Sequence, residues 1–479
     1  MNPIVPTLYD LARRATRALA ARSRTLNHSR RNFLLASALT AATVSMSVAP
    51  VAAADFGRWD TQNWVGAWST AEAGPPLAAN LQQFNNQTLR LIVHTTLGGT
   101  NVRIKLSNKF GTAPLRIGGV RVALRQAGGN IVAATDRPVT FSGFGNITIP
   151  VGAPALSDPV ELDVPVHADL AVSIYLPEGT PANTVHGSAF QTNYVSTPGD
   201  YTGTPVLPVQ RTLTSWPFLN GVDVQGRSLS ASIVALGDSI TDGSVTTTDA
   251  NRRWTDLLSV RLQTERLPLH PFGGYVRTMF PNLLGNTSYL GVLNKGIGGN
   301  RLLRDPGEQP LFGTNALERF DRDVLAQPGV EYMIVLIGIN DIGHPGTGTI
   351  PVAQAPSLND MIAGYRQLIA RAHKNGIAAF GGTLTPFEGT IFPGYYSAQK
   401  ETVRQAVNNW IRTSGEFDAV IDFEAAVRDP ARPTRMLPAY DSGDHLHPND
   451  AGMQAMANAI PLQIFRDHGF ARLRELLRR

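Results

Sequence analysis

The 479-residue chain contains no cysteine. Cysteine nucleophiles, thiolate metal sites, redox pairs and disulfides are thereby excluded, and stability has to come from an ordinary apolar core. Charge is sparse: Asp, Glu, Lys and Arg make up 16% of the residues against 43% hydrophobic ones, the balance of a globular chain. No Gly-x-Ser-x-Gly stretch occurs, which argues against an ordinary α/β-hydrolase elbow. Internal repeats and low-complexity tracts are missing as well, and the length alone favours two domains.

Basic charge is also short in most of the chain. The formal net charge is +5, but residues 1–31 hold seven arginines and only Asp10. From Asp55 onward there are 35 basic and 36 acidic residues. The excess therefore belongs to the leader and gives no support for a nucleic-acid partner. Within that leader, Arg30 and Arg31 precede an uncharged stretch, 32–54, that ends in Ala52-Ala53-Ala54. This is the pattern of a twin-arginine export signal cleaved near Ala54. It predicts engagement with the twin-arginine export machinery and a periplasmic or secreted protein. A retained anchor is the competing reading, because 33–54 is almost long enough to span a bilayer; Pro50 and the Ala-x-Ala end weaken it.

Two rhythms follow. Over 55–228 apolar residues alternate with polar ones, as at Leu89, Leu91, Val93 and Val102, Ile104, Leu106. That period places one face of each strand in a core. Leu97-Gly98-Gly99-Thr100 looks like a hairpin connection, and further runs at 120–124, 147–151, 160–164 and 170–176 suggest an antiparallel β-sandwich. Trp64 and Trp68 are expected in its core. Over 229–479 the strands become short continuous apolar runs (SIVAL, YMIVLI, GIAAFGGTL, FDAVIDF) alternating with helical patterns. Strands of that kind are covered on both faces and paired in parallel. The expected fold is thus α/β: a three-layer α/β/α domain preceded by an all-β sandwich.

Polar residues gather where these strands end, which is where open α/β sheets bind ligands. Acyl transfer from an ester needs a hydroxyl, a base for its proton, a carboxylate to hold the base's tautomer, and donors for the oxyanion. Ser239 in GDSITDG is the candidate nucleophile, on a strand-to-helix turn whose backbone N–H groups face the reaction. His447 is the candidate base, and Asp444, three residues earlier, can curl back to its Nδ1. Expected oxyanion donors are the backbone N–H of Ser239 and Gly299 and the amide of Asn340, a neutral donor. Other readings stay open at this point. Gly237-Asp238-Ser239 also suits a turn with a helix cap, and Asn340-Asp341 an ordinary loop. Asp444, His445 and His447 could hold a metal, although no second cluster with ligand spacing appears. GIGGNR starts like a dinucleotide loop, but Arg301 stands where the last glycine belongs.

Together, Gly237-Asp238-Ser239-Ile240, Gly299, Gly338-Ile339-Asn340-Asp341 and Asp444-His445-Leu446-His447 resemble the four blocks of the SGNH subgroup of GDSL hydrolases, over about residues 230–465. GDSITDG, GIGGNRLL, TLTPFEG and AYDSGDHLHPNDAG are most similar to exported bacterial acetylxylan-esterase-like members. The resemblance implies an esterase with Ser239, Asp444 and His447 as triad, Gly299 and Asn340 in the oxyanion hole, a flavodoxin-like sheet, and no metal or cofactor. For the β-rich half the resemblance is weaker. Candidate substrate contacts are Asp238 and Arg301, beside the nucleophile and oxyanion loops, and Phe387 and Tyr395 in TPFEGTIFPGYY; Asp242 flanks the same loops, and for Arg301 and Asp242 a structural role is the alternative. Those aromatics, with Phe392 and Tyr396, either stack on sugar rings and line an acyl pocket or only pack their loop. The expected activity is hydrolysis of short acyl, plausibly acetyl, esters of carbohydrate or similar substrates. A lipase or thioesterase of the same fold, or a silent glycan-binding envelope protein, are the alternatives.

Overall fold

The computed structural model describes residues 59–465 apart from 228–229, 266–288, 306, 308 and 349. The expected export signal, 1–54, lies outside these residues. Strand β1 (Trp59–Ser69) opens the chain, followed by β2 (Gln87–His94), β3 (Gly99–Ser107), β4 (Gly119–Ala127), β5 (Asp169–Leu176), β6 (Asn193–Pro198) and β7 (Leu219–Arg227). They form two antiparallel sheets: β7 lies between β1 and β3 in one, and β6-β2-β5-β4 run side by side in the other. Alternation is cleanest where one face meets solvent, as in 160–164, where Val160, Leu162 and Val164 are buried and Glu161 and Asp163 exposed. Strand β2 departs from it, being buried on both faces except at His94. Its outward Arg90 is covered by the 199–204 loop and donates to the carbonyls of Gly129, Tyr201, Thr202 and Thr204. Trp68 is buried with its ring edge-on to Trp216, whereas Trp64 is half-buried beneath the Arg103 guanidinium.

The connection at 97–100 is not a hairpin. β2 and β3 belong to different sheets, and between them Thr95 and Thr96 donate their backbone N–H to Ala168 and Ala67. A Cβ on Gly98 would meet the Val164 carbonyl oxygen at 2.5 Å and one on Gly99 the Gln225 oxygen at 2.7 Å. The glycine pair therefore serves a close crossing between sheets, a use of glycine that local sequence does not separate from a tight turn.

Beyond Arg227 the pairing becomes parallel. Strands β8 (Ala231–Gly237), β9 (Leu290–Gly296), β10 (Val330–Leu336), β11 (Ala378–Gly382) and β12 (Ala419–Ile421) stand in the order β9-β8-β10-β11-β12. This is the 2-1-3-4-5 order of flavodoxin-like sheets. Every residue of β8 and β11 is buried, as a sheet covered on both faces requires. Helix α2 (Trp254–Thr264) packs on α6 (Asp450–Asn458), and α4 (Leu358–Lys374) on α5 (Ala398–Thr413). Two further one-turn helices, α1 (Ser239–Asp242) and α3 (Ile339–Gly343), follow β8 and β10 directly.

Both halves belong to one compact unit. β1 lies along the sheet's edge strand β9: Thr96 Oγ1 exchanges hydrogen bonds with Val292 N–H and C=O at 2.9 and 3.1 Å. A Cβ on Gly291 would sit 2.5 Å from the Gly66 carbonyl oxygen. Buried Lys295 donates from β9 to the Thr70 carbonyl at 2.6 Å. Its removal from water pulls the amine down to about 7.

Candidate active site

Strand β8 ends in Gly237, and Asp238 caps the turn that follows by accepting the Ile240 N–H at 3.0 Å. That cap turns Ser239 out of the strand direction while leaving it only 6% exposed. Far along the chain, 441–448 forms a closed loop: Asp441 bridges Pro448, Ser442 N–H donates to the His447 carbonyl, and His445 takes φ +58° to reverse the chain. Within it Asp444 Oδ1 accepts the N–H groups of Leu446 and His447 at 2.9 and 2.8 Å, and Oδ2 stands 2.6 Å from His447 Nδ1. His447 Nε2 is 2.9 Å from Ser239 Oγ. Burial alone would raise Asp444, but the bonds from the His447 ring and the two N–H groups outweigh it and hold the carboxyl well below the usual range. A carboxylate there fixes the proton on Nδ1 and leaves Nε2 as an acceptor toward the serine hydroxyl.

The loop that carries Gly299 is held from three sides. Gly299 has φ +74°, and a Cβ there would lie 2.5 Å from the Phe312 ring. Asn340 Nδ2 donates to the Asn300 carbonyl at 2.9 Å, and its Oδ1 accepts the Tyr395 hydroxyl at 2.7 Å. The Asn300 carbonyl, which can only accept, thus settles which way the amide faces, leaving the second N–H of Nδ2 for a ligand. Asp341 accepts the N–H groups of Leu302 and Leu303 at 2.6 and 3.0 Å, tying this loop to α3.

Ser239, Gly299, Asn340 and His447 line one cavity of about 440 Å³, with Ser244, Gly298, Phe312, His344, Thr347, Phe392, Pro393, Tyr395 and Leu446. The walls are largely aromatic and aliphatic. Burial, helped by Arg301, lowers His344 to about 4, so its ring is neutral at physiological pH.

Three of the expected substrate contacts do not line this cavity. Asp238 is 1% exposed and spent on the helix cap. Arg301 is buried behind the loop, donating to Gln354 Oε1 at 3.1 Å. Phe387 is fully buried against Tyr395 and Tyr396. The fourth, Tyr395, does line it, together with Phe392. Asp242 is likewise buried, facing His186 of the β-rich half. His445 pairs with Asp441 while His447 pairs with Asp444, so the two imidazoles do not converge; among the described residues no group of three or more His, Asp or Glu side chains could hold a metal ion.

His344 and Arg319 went unrecognised in the sequence, and Asp341 was named there without a role of its own. Fully buried Arg319 donates to the carbonyls ending β8 and β9, those of Gly237 and Lys295, both at 2.8 Å, and pairs with Asp323 at 2.9 Å. It fixes the two strand ends that carry the Ser239 and Gly299 loops. An arginine in an amphipathic pattern carries no mark of this, whereas Asp341 beside Asn340 at a strand end was a usable signal.

Burial pushes Asp238 up to about 7 against the opposing Ile240 N–H bond, with the Asp341 charge adding to the rise. Asp341 rises to about 6 through burial, although two N–H bonds oppose it. A carboxyl whose folded pKa exceeds its unfolded value of about 3.9 favours folding most below that value, and the advantage is lost as pH rises through the folded pKa. Asp238→Asn keeps a capping acceptor but cannot ionise. Its Tm difference from wild type is therefore expected to become more favourable between pH 5 and pH 8. A difference that stays constant or reverses in thermal melts across that range contradicts a raised Asp238.

Residues 233–460 match the family model for GDSL-like lipase/acylhydrolase. Among solved structures, the chain is similar to a protein of the lipolytic G-D-S-L family from Desulfitobacterium hafniense, with 19% identity, 48% of this chain and 97% of that one covered, and a TM-score of 0.32. An acetylxylan esterase from Geobacillus stearothermophilus gives 19% identity over 49% of this chain and 95% of that one, with a TM-score of 0.32. No curated protein matches the sequence. The family assignment rests on the motif-bearing half and not on these low-scoring likenesses. Residues 233–460 thus form the part of the chain that is similar to GDSL-like lipases/acylhydrolases, and the protein is a carboxylic ester hydrolase.

Proposed function

We propose that the protein is an exported serine esterase in which Ser239 attacks the ester carbonyl, His447 takes and returns the proton, and Asp444 holds the imidazole. The observation that carries this reading is the continuous relay from Ser239 Oγ to His447 Nε2 at 2.9 Å and from Nδ1 to Asp444 Oδ2 at 2.6 Å. The tetrahedral oxyanion is met by the N–H groups of Ser239 and Gly299 and the free amide N–H of Asn340. His447 then protonates the departing alcohol, and a water deprotonated by the same ring frees the acyl group from Ser239. Export rests on the Arg30-Arg31 leader and its Ala52–Ala54 end.

For the substrate, the cavity favours an apolar acyl or aryl portion. Phe312, Phe392, Pro393, Tyr395 and Leu446 supply its wall, and its volume falls in the range of sites that enclose small organic ligands. A carbohydrate or similar alcohol would lie against the hydroxyl-bearing part of the lining, Ser244 and Thr347. Each buried methylene is worth about 0.8 kcal/mol, so kcat/KM on p-nitrophenyl esters is expected to rise about tenfold from acetate to butyrate. Hydrolysis of acetylated xylan measured beside the aryl series tests the carbohydrate arm. Failure to turn over any of these esters, or to react at Ser239 with a fluorophosphonate, contradicts the mechanism.

A further inference from the structure

The geometry points to His186, on the β-rich half, as a positioning residue for the nucleophile and oxyanion loops, which makes the sandwich part of the catalytic apparatus; the inference rests on the mechanism proposed above. His186 is 3% exposed, and its ring lies against Trp216. Its Nδ1 is 2.8 Å from the Ala71 carbonyl oxygen, and its Nε2 is 2.9 Å from Asp242 Oδ1 and 3.2 Å from the Ser188 carbonyl oxygen. The Ala71 carbonyl can only accept, so Nδ1 donates to it, and Nε2 is left to share a hydrogen bond with Asp242 Oδ1.

Asp242 stands at the joint of the site. It is the last residue of α1, the single turn that begins with Ser239, and its N–H bonds the Asp238 carbonyl at 2.9 Å. A Cβ on Gly296, where the oxyanion loop leaves β9, would meet the Asp242 backbone nitrogen at 2.2 Å, and one on Gly298 would approach Asp242 Oδ2 at 4.0 Å. Asp242 thus abuts the second loop through its backbone at Gly296 and turns its carboxylate toward Gly298. Its second oxygen, Oδ2, is buried without a hydrogen-bond partner.

Nearby charges do not duplicate the clamp. Arg253 spends its Nε on the Asp242 backbone carbonyl at 2.7 Å and NH2 on the Ala189 carbonyl. Asp256 and His94 border the small cavity beside the pair, but Asp256 is engaged by Arg253 and His94 by Asp169. If His186 is removed, Asp242 becomes a buried carboxylate with neither oxygen held by a side chain. It must then turn toward another donor or draw in water. Either course displaces the groups that meet the transition state.

The experiment compares wild type, His186→Ala, Asp242→Ala and the double variant on p-nitrophenyl butyrate, with active sites counted by fluorophosphonate labelling of Ser239. His186→Ala is expected to lower kcat per labelled site about 10- to 100-fold with KM within twofold, as a small displacement remote from the reacting atoms does. The double variant should be no slower than the slower single one, because the two residues act as a unit. An unchanged kcat per labelled site, or additive losses, overturns the assignment. Should His186→Ala not fold, His186→Gln decides, because its amide can still donate to Asp242: kcat per labelled site at least tenfold above that of Asp242→Ala supports the clamp, and a loss equal to that of Asp242→Ala overturns it. Absence of any label at Ser239 in wild type sinks the esterase mechanism itself, a result distinct from these.

Discussion

Ser239→Ala is expected to lower kcat on p-nitrophenyl butyrate by about 10⁴- to 10⁶-fold while leaving KM within a few-fold. The reason is chemical. The hydroxyl is the only group at the head of the relay to His447 Nε2, and alanine removes the oxygen that would carry the acyl group. The backbone N–H of residue 239 and the Asn340 amide survive the change, so residual catalysis by the oxyanion donors over the uncatalysed rate should persist. His447→Ala should reach a similar floor, and the double variant should fall little further, because the members of a triad act as one unit. Steady-state rates per mole of folded protein, with folding checked by Tm, give the test. A Ser239→Ala enzyme retaining a tenth of wild-type turnover would sink the assignment of the nucleophile.

The second large effect is expected from Asp444→Asn, about 10⁴-fold in kcat at neutral pH. Oδ1 of Asp444 is committed to the N–H groups of Leu446 and His447. An asparagine therefore keeps its oxygen there and turns its NH2 toward His447 Nδ1. Nδ1 must then accept, the ring proton moves to Nε2, and a nitrogen that already bears hydrogen faces Ser239 Oγ. The imidazole stays in place but in the wrong tautomer for a base. Stability should respond too. Because the folded pKa of Asp444 is depressed, its contribution is present above the unfolded value of about 3.9 and lost as pH falls through the folded one. The destabilisation of Asp444→Asn should thus be greatest near neutrality and shrink in acid. Undiminished turnover at pH 7 to 8 would remove Asp444 from the mechanism.

The His186–Asp242 pair and the apolar cavity change how the two halves relate. A β-rich domain before a hydrolase domain invites the idea of a separate binding module. Here its strand β1 runs along the edge of the parallel sheet, and one of its histidines is buried against the helix that begins with Ser239. Removing residues 55–228 would strip the back of the active site as well as any sugar-binding surface. Substrate screens with truncated protein would then confuse loss of specificity with loss of alignment, and single substitutions separate the two.

How much of this was legible beforehand depended on distance along the chain. Period-two and continuous apolar runs marked the strands, because side-chain alternation is a property of neighbouring residues. Asp444 and His447 were legible together because three residues and one turn join them. The strand ends carrying Ser239, Gly299 and Asn340 were legible because parallel sheets put ligands there. What local pattern could not decide was which face a residue shows to another element. Phe387 and Phe392 lie five residues apart in one loop, yet the first is core and the second cavity wall. Gly98 and Gly99 looked like a hairpin turn and serve a crossing between sheets.

By itself, then, the sequence determined the two strand rhythms, the chemistry available at the strand ends, and the absence of any thiol. Tertiary structure alone decided that Asp238, Arg301 and Asp242 face inward, that Arg319 ties two strand ends together, and that a histidine 56 residues before Asp242 meets it. The physical reason is that propensity and turn chemistry act over a few residues. Burial, and the charge pairing that burial compels, are settled only when distant segments close the same space.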